Sequence, residues 1–341
     1  MEKFSAYPKI GQYRQVITEV KLRNSYVGKD DNGDPIYDKN IQPPKIKFTG
    51  SVKLHGTNAG VGYSVNDGLW VQSRSNIITP ENDNFGFARY VEDNKTAFIE
   101  LFEHILYVNP NLKDENIYIF GEWAGKGIQK SVGISQIEKS FFIFALKIQP
   151  KNKSEAYYLP SNYLRDNEHR IYNIEDFLTY ELEIDFARPD LVQNKLGEIT
   201  LSIEKSCPVA KAFGFEGIGE GCVWVANVDG HNYRFKVKGE KHSVSKVKTL
   251  AAVGTEKMNS IHDFIEYSVT ENRFMQAMNI VFPDGVIDIK KLGEVIRWVV
   301  GDVTIEEADV LKESNLEPKD VNKYISNKVR TLFFEAYNQV T

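Results

Sequence analysis

The chain has 341 residues, 42% hydrophobic and 12% aromatic, and 42 Lys and Arg against 47 Asp and Glu leave a net charge of −5. It is long enough for one large and one smaller core, and the composition excludes both a disordered chain and a protein that is basic all over. No apolar run approaches a membrane span, the opening Met1-Glu2-Lys3-Phe4-Ser5-Ala6-Tyr7-Pro8 lacks a signal-peptide core, and Cys207 and Cys222 have no ligand-spaced partner; a cytosolic protein with packing thiols is expected.

Residues 8–24 mix apolar and charged positions and fit either a short helix or a strand. Tyr26-Val27-Gly28 and Pro35-Ile36-Tyr37 flank Asp30-Asp31-Asn32-Gly33-Asp34, a hairpin turn. Ile46 to Leu54 alternates as a strand that ends in a glycine-marked turn and carries Lys53 to its end. A second hairpin joins Ala59–Val65 to Leu69–Arg74 through Asn66-Asp67-Gly68 and delivers Arg74 to the end near Lys53. Phe98 to Leu106 has the apolar rhythm of a helix, and Asn116 to Trp123 reads as a buried strand carrying Glu122, which needs a cation, a metal or a ribose to offset its desolvation. Ser140 to Leu146 is a further core strand, and a helix is expected around Ile174 to Leu182. The glycine-rich Glu216–Gly221 leads into a strand, Asp229-Gly230 turns it, and Tyr233-Arg234-Phe235-Lys236-Val237-Lys238 returns with Arg234, Lys236 and Lys238 on one face. Residues 258–280, 288–300 and 319–339 have helical spacing, interrupted by Pro283-Asp284-Gly285 and by Glu306 to Pro318.

Charge is unevenly spread. Residues 234–248 hold six basic side chains (Arg234, Lys236, Lys238, Lys241, Lys246, Lys248) against Glu240, a local net of +5, whereas residues 249–341 carry ten Lys and Arg against fifteen Asp and Glu. Polyanion binding is therefore expected before the helical segment. A strand-end lysine can act as a nucleophile only if it loses its proton, which neighbouring cations or poor solvation promote. Lys236 and Lys238 are the candidate cations for Lys53.

Lys53-Leu54-His55-Gly56-Thr57-Asn58 resembles the active-site motif of covalent nucleotidyltransferases, in the form carried by the RNA ligase 2 family of phage RNA ligases and RNA-editing ligases. DNA ligases and capping enzymes usually read Lys-x-Asp-Gly here. The resemblance implies that Lys53 attacks the α-phosphorus of ATP and holds AMP through a phosphoramide bond, with Leu54, His55 and Asn58 beside the nucleotide and Thr57 toward the nucleic acid. Arg74 resembles the arginine that contacts the ribose and the nucleic-acid end. Phe120-Gly121-Glu122-Trp123-Ala124-Gly125 is similar to the segment whose glutamate binds a ribose hydroxyl, here Glu122, and Phe144 matches the aromatic that stacks on adenine. Phe85 and Phe87 fall where the family places aromatics near the 3′-OH end. Glu220-Gly221-Cys222-Val223 resembles the motif whose carboxylate, here Glu220, serves Mg2+ or Mn2+, and Phe235-Lys236-Val237-Lys238 the motif whose two lysines reach the α-phosphate. Val52 and Ala145 stand where the family often has acids. Val269-Thr270-Glu271-Asn272-Arg273 looks like the C-terminal domain of phage RNA ligase 2, whereas DNA ligases and capping enzymes continue into a β-rich OB-fold.

Together these imply an α+β protein: an antiparallel-sheet nucleotidyltransferase domain of ATP-grasp-like ligase type at residues 1–245, then a small all-helical domain at 246–341. The implied activity is that of an ATP-dependent RNA ligase that adenylates itself, passes AMP to an RNA 5′-phosphate and seals with the 3′-OH. The partners would be RNA ends, nicked duplex RNA or an RNA/DNA hybrid, with ATP and Mg2+ or Mn2+, no membrane, a monomeric chain and a cytoplasmic setting such as the cytoplasm of a phage host. Alternatives are an ATP-dependent DNA ligase, a capping-type guanylyltransferase or a non-catalytic nucleic-acid-binding relative. Residues 1–245 are expected to adenylate by themselves, with Lys257, Arg273, Lys290 and Lys291 of the helical segment gripping the polynucleotide.

Overall fold

The computed structural model describes residues 3–152, 155–246, 249–283 and 285–340, the side chains of 339 and 340 aside; Met1, Glu2, Lys153, Ser154, Val247, Lys248, Asp284 and Thr341 lie outside them. The protein is mixed α+β with antiparallel-rich sheets. It divides into two compact units, Met1–Ile10 with Ile46–Glu183 and Ser202–Arg234, and Gly11–Lys45 with Ile184–Leu201 and Phe235–Thr341. Two earlier stretches, and the segment from Phe235 to Ser245, thus fall in one unit with the helical tail.

In the first unit, strands Tyr157–Leu159, Ser140–Gln149, Asn116–Ala124, Thr57–Ser64, Gly68–Ser73 and Ile77–Ile78 lie side by side, each antiparallel to the next, and Ile171–Asn173 adds in parallel to Ser140–Gln149. Period-two alternation gives this sheet two faces. Val61, Ile117, Ile119, Phe141 and Ile143 point into the main core, against the helices Phe87–Asp93 and Lys95–Val108. The second helix presents Phe98, Leu101, Phe102 and Ile105, an i, i+3, i+4, i+7 stripe, and each fully buried large side chain stabilises the core by about 1.5–3 kcal/mol. The opposite face carries Tyr7, Trp70, Tyr118 and Phe120, and Gly62 leaves room for the Trp70 indole, since a Cβ there would fall 2.1 Å from it.

Strand Lys45–Lys53 pairs antiparallel with Gly221–Val228, in a register that sets Gly221 opposite Lys53 and Trp224 opposite Gly50. Asp229 and Gly230, both at positive φ, form the turn into His231–Lys238, as the Asp-Gly pair predicts. Two readings change. The helix expected over 174–182 is a 3-10 turn, Ile174–Asp176, and a strand, Thr179–Asp185, because Tyr180, Leu182 and Ile184 alternate with polar residues at period two. The helix of that region lies further on, at Gln193–Lys205.

Residues 8–24 resolve as a short strand, Gly11–Gln12, followed by the helix Tyr13–Ser25, and both elements lie in the second unit. The predicted hairpin is present as Tyr26–Lys29 and Pro35–Tyr37. Beyond Lys238 the described residues contain helices and no strand. Helices Ile261–Ser268 and Glu271–Val281 are N-capped by Ser260 and Thr270, whose hydroxyls accept from the Asp263 and Arg273 amides. Helix Leu292–Glu306 extends past the expected end at 300 and is followed by Ala308–Glu313, so the interruption at Glu306 is a change of helix, not a loop. Val295, Val299 and Val303 pack on Val321, Ile325, Val329 and Phe333 of Pro318–Val340.

A buried ionic network ties this unit together. Arg273 and Glu307 are both 0% exposed and pair at 3.0 Å. The Glu307 carboxylate also accepts from Arg14 at 3.2 Å, Tyr267 at 3.1 Å and the Ser245 hydroxyl, while Arg273 Nε reaches Asp302 at 2.9 Å and Arg14 Nη2 reaches Asp309 at 3.0 Å. Arg14 thereby fastens Tyr13–Ser25 to the helical tail within this unit. Arg273 is core, so the expectation that it grips the polynucleotide is corrected.

Candidate active site

Lys53 stands at the end of its strand with its ammonium 2.7 Å from Glu220 Oε2, and His55 Nδ1 lies 3.3 Å from the same oxygen. The register explains the meeting: with Gly221 opposite Lys53, Glu220 is the next side chain back along the neighbouring strand. Glu122 arrives from the other sheet, where it pairs with Asn58, and its Oε1 accepts the Gly56 amide at 2.9 Å. Gly56 sits so close to that strand that a Cβ would lie 2.4 Å from the Trp123 carbonyl oxygen. Gln129 Nε2 donates to the Gly56 carbonyl at 3.3 Å, a support for the turn that local sequence did not single out.

Lys53 is 21% exposed and Glu220 3%. Burial draws the Lys53 pKa down, but the Glu220 carboxylate, then Glu122 and the hydrogen bond to Glu220, push it up by more, so the net shift is upward; Arg74 opposes weakly. The expectation of a lysine depressed by cations is therefore corrected in this unit, whose dominant neighbours are anions. Glu122 is itself raised, first by burial and also by Glu220, with Lys53 acting against both. Of the cation, metal or ribose expected for Glu122, Lys53 is the cation whose charge opposes the effect of burial.

Other candidates divide. Leu54 is buried, Asn58 is half-buried, and the Thr57 hydroxyl accepts from Asn84 at 3.1 Å. Phe85 is half-buried at φ 54°, its carbonyl taking Trp123 Nε1 at 3.2 Å and Lys139 Nζ at 2.7 Å. Phe87 is 0% exposed, packed on Trp123 and Phe141, so its expected place at the RNA end is corrected to the core. Phe144 is half-buried, edge-on to Tyr7 with centroids 5.0 Å apart. Tyr7, which sequence reasoning passed over, also receives Arg234, whose guanidinium lies 5.0 Å from its ring and 4.6 Å from that of Tyr158. Arg234 is thus engaged by aromatics.

In the second unit, Lys236 Nζ pairs with Glu306 Oε1 at 2.9 Å. Both line a cavity of about 40 Å³ with Gln12, Lys238, Ser243 and Ser245.

Among the described residues no group of three or more His, Cys, Asp or Glu could cage a metal. A divalent ion of the Mg2+ kind needs only one or two protein carboxylates when phosphates and water complete its shell, and Glu220, with Glu122 beside it, fits that requirement.

The RNA ligase family description matches residues 46–238, more than half of the chain, and the chain belongs to this family. The match begins at the Lys53 strand and ends on Lys238, so every candidate nucleotide contact lies inside it. Among solved structures it is similar to a Naegleria gruberi RNA ligase with PPi, at 18% identity and a TM-score of 0.42, covering 70% of this chain and 57% of that one. A lysine-to-alanine mutant of the Naegleria gruberi enzyme with ATP and Mn gives the same values, 18%, 0.42, 70% and 57%. The chain thus spans 57% of the length of those structures. None of the curated proteins matches it. No helix among the described residues is long and apolar enough to cross a membrane.

Proposed function

We propose that the chain is an ATP-dependent RNA ligase that works through a lysyl-AMP intermediate on Lys53. The observation that carries this is the strand-end lysine, held 2.7 Å from Glu220 and in the field of Glu122, inside the stretch that matches the RNA ligase family. In adenylation the Nζ–P bond forms at the α-phosphorus of ATP as pyrophosphate departs. The Glu220 hydrogen bond fixes the direction of Nζ, and Nζ must release its proton before its lone pair can attack. Glu122 is suited to a ribose hydroxyl, since its buried carboxylate keeps acceptor capacity beyond the Gly56 amide. Phe144 is the candidate platform for adenine, Leu54, His55 and Asn58 border the nucleotide, and Arg74 is the candidate contact to ribose and to the incoming end. Lys236 and Lys238 are assigned to the charge on the α-phosphate. Mg2+ or Mn2+, held by Glu220, would supply charge neutralisation at the phosphates when bound.

AMP then passes to an RNA 5′-phosphate, and the 3′-OH displaces it to form the phosphodiester. Thr57 and Phe85 remain candidates for the RNA end. Residues 1–245 carry the nucleotidyl-transfer residues in this reading, and 246–341 serve polynucleotide engagement through exposed lysines such as Lys257, Lys290 and Lys291. The test is incubation with labelled ATP or GTP and a divalent metal, followed by a denaturing gel. Label retained from ATP, with sealing of nicked RNA, supports the assignment; label only from GTP points to capping chemistry, sealing confined to DNA points to a DNA ligase, and no label points to a binding protein.

A further inference from the structure

Lys236 is held by a frame that draws on two other stretches of chain. Its backbone pairs in parallel with Gln12, its ammonium meets Glu306 at the last turn of helix Leu292–Glu306, and Gln12 in turn accepts a hydrogen bond from Arg14. Arg14 reaches Glu307, the residue after Glu306, so the contacts close into a ring that begins and ends on Lys236. Glu306 is 6% exposed and Lys236 13%. A flexible four-carbon stem that must present its charge to one phosphate oxygen loses most by being loose, and a fixed carboxylate removes that freedom in advance. Helix Leu292–Glu306 cannot drift under Glu306, because Glu307 is clamped by Arg14 and Arg273 and Val295, Val299 and Val303 are buried.

We propose that Glu306 is a positioning residue for Lys236, through which the helical tail takes part in nucleotidyl transfer. This rests on the reading of the chain as a self-adenylating ligase. A cut after residue 245 would remove Glu306 together with both carboxylate partners of Arg14, so such a truncation should adenylate slowly, contrary to the expectation from the motif order.

The experiment follows lysyl-AMP formation in single turnovers of the full-length chain, over a range of ATP concentrations, for wild type, Glu306→Ala, Glu306→Gln, Lys236→Ala and the Glu306→Ala/Lys236→Ala double variant. Glu306→Ala should lower the maximal rate about tenfold or more with little change in half-saturating ATP. Glu306→Gln, whose amide oxygen still accepts from Nζ, should stay close to wild type. In the Lys236→Ala background Glu306→Ala should have no further effect, which a merely structural role would not produce. If Glu306→Ala does not fold, Glu306→Met keeps the bulk without the acceptor and carries the same expectations. A Glu306→Ala rate equal to or above wild type, or an effect that persists undiminished without Lys236, overturns the proposal. A wild-type chain that takes no AMP overturns the ligase reading, and the positioning role with it.

Discussion

Gly56→Ala is the substitution whose cost can be worked out from the geometry of the turn after Lys53. A methyl there would meet the Trp123 carbonyl oxygen at 2.4 Å, Ala124 Cβ at 2.9 Å and Glu122 Cγ at 3.0 Å. The first of these is backbone in strand Asn116–Ala124, paired on both sides within its sheet, so the turn must move instead. Restoring ordinary contact takes a shift of about 1 Å, which also stretches the Gly56 amide bond to Glu122 beyond its 2.9 Å. Overpacking of this kind costs about 1–3 kcal/mol. A displacement of about 1 Å next to the nucleophile costs on the order of 10²-fold in rate. Denaturant midpoints and single-turnover adenylation of Gly56→Ala measure the two losses. Gly197→Ala is the opposing control: it lies within helix Gln193–Lys205 with nothing within 4 Å of the added carbon, and it should stabilise by about 0.5–1 kcal/mol. A Gly56→Ala chain that unfolds and adenylates like wild type would refute the reasoning.

Lys238→Ala should lower the adenylation rate on the order of 10²-fold by removing a preorganised cation, with the melting transition retained; unchanged kinetics would remove it from the α-phosphate. Because Glu220 and Glu122 outweigh burial and hold the Lys53 pKa above its ordinary 10.5, the second-order rate of adenylation by free enzyme should still be climbing with pH as that value is passed, and a plateau near neutrality would count against it. The attraction between Lys53 and these carboxylates stabilises the fold below pH 10.5 and loses that contribution as pH rises through the raised pKa. Arg273→Met should destabilise the helical unit by about 3–5 kcal/mol, since Glu307 and Asp302 lose a buried partner, and a denaturation midpoint equal to wild type would contradict the network.

Elements whose pattern is local were legible in the sequence. The Lys53 strand, both early hairpins, Asn116–Ala124, Ser140–Gln149 and the helical tail follow from alternation, Asp-Gly turns and 3.6-residue spacing. The helix expected over 174–182 failed because Tyr180, Leu182 and Ile184 carry a strand period that a few apolar residues obscure. The site was legible as residue types and not as partnerships. Nothing near Lys53 in sequence announces Glu220, 167 positions away, so the sign of its pKa shift depended on a strand register. Local pattern and motif position suggest functional places for Arg234, Arg273 and Phe87, yet aromatic rings, a buried carboxylate and the main core claim them. Glu306 stands 70 positions from Lys236, and a helical pattern gives no hint of which strand its last turn will meet.

In the proposed cycle Lys53 becomes covalently adenylated. Incubating the full-length chain with ATP and Mg2+, digesting it and locating AMP by mass spectrometry tests this directly. The adduct should sit on the peptide containing Lys53 and be absent from Lys53→Ala, whereas an adduct on another lysine, or one that survives Lys53→Ala, would contradict the account.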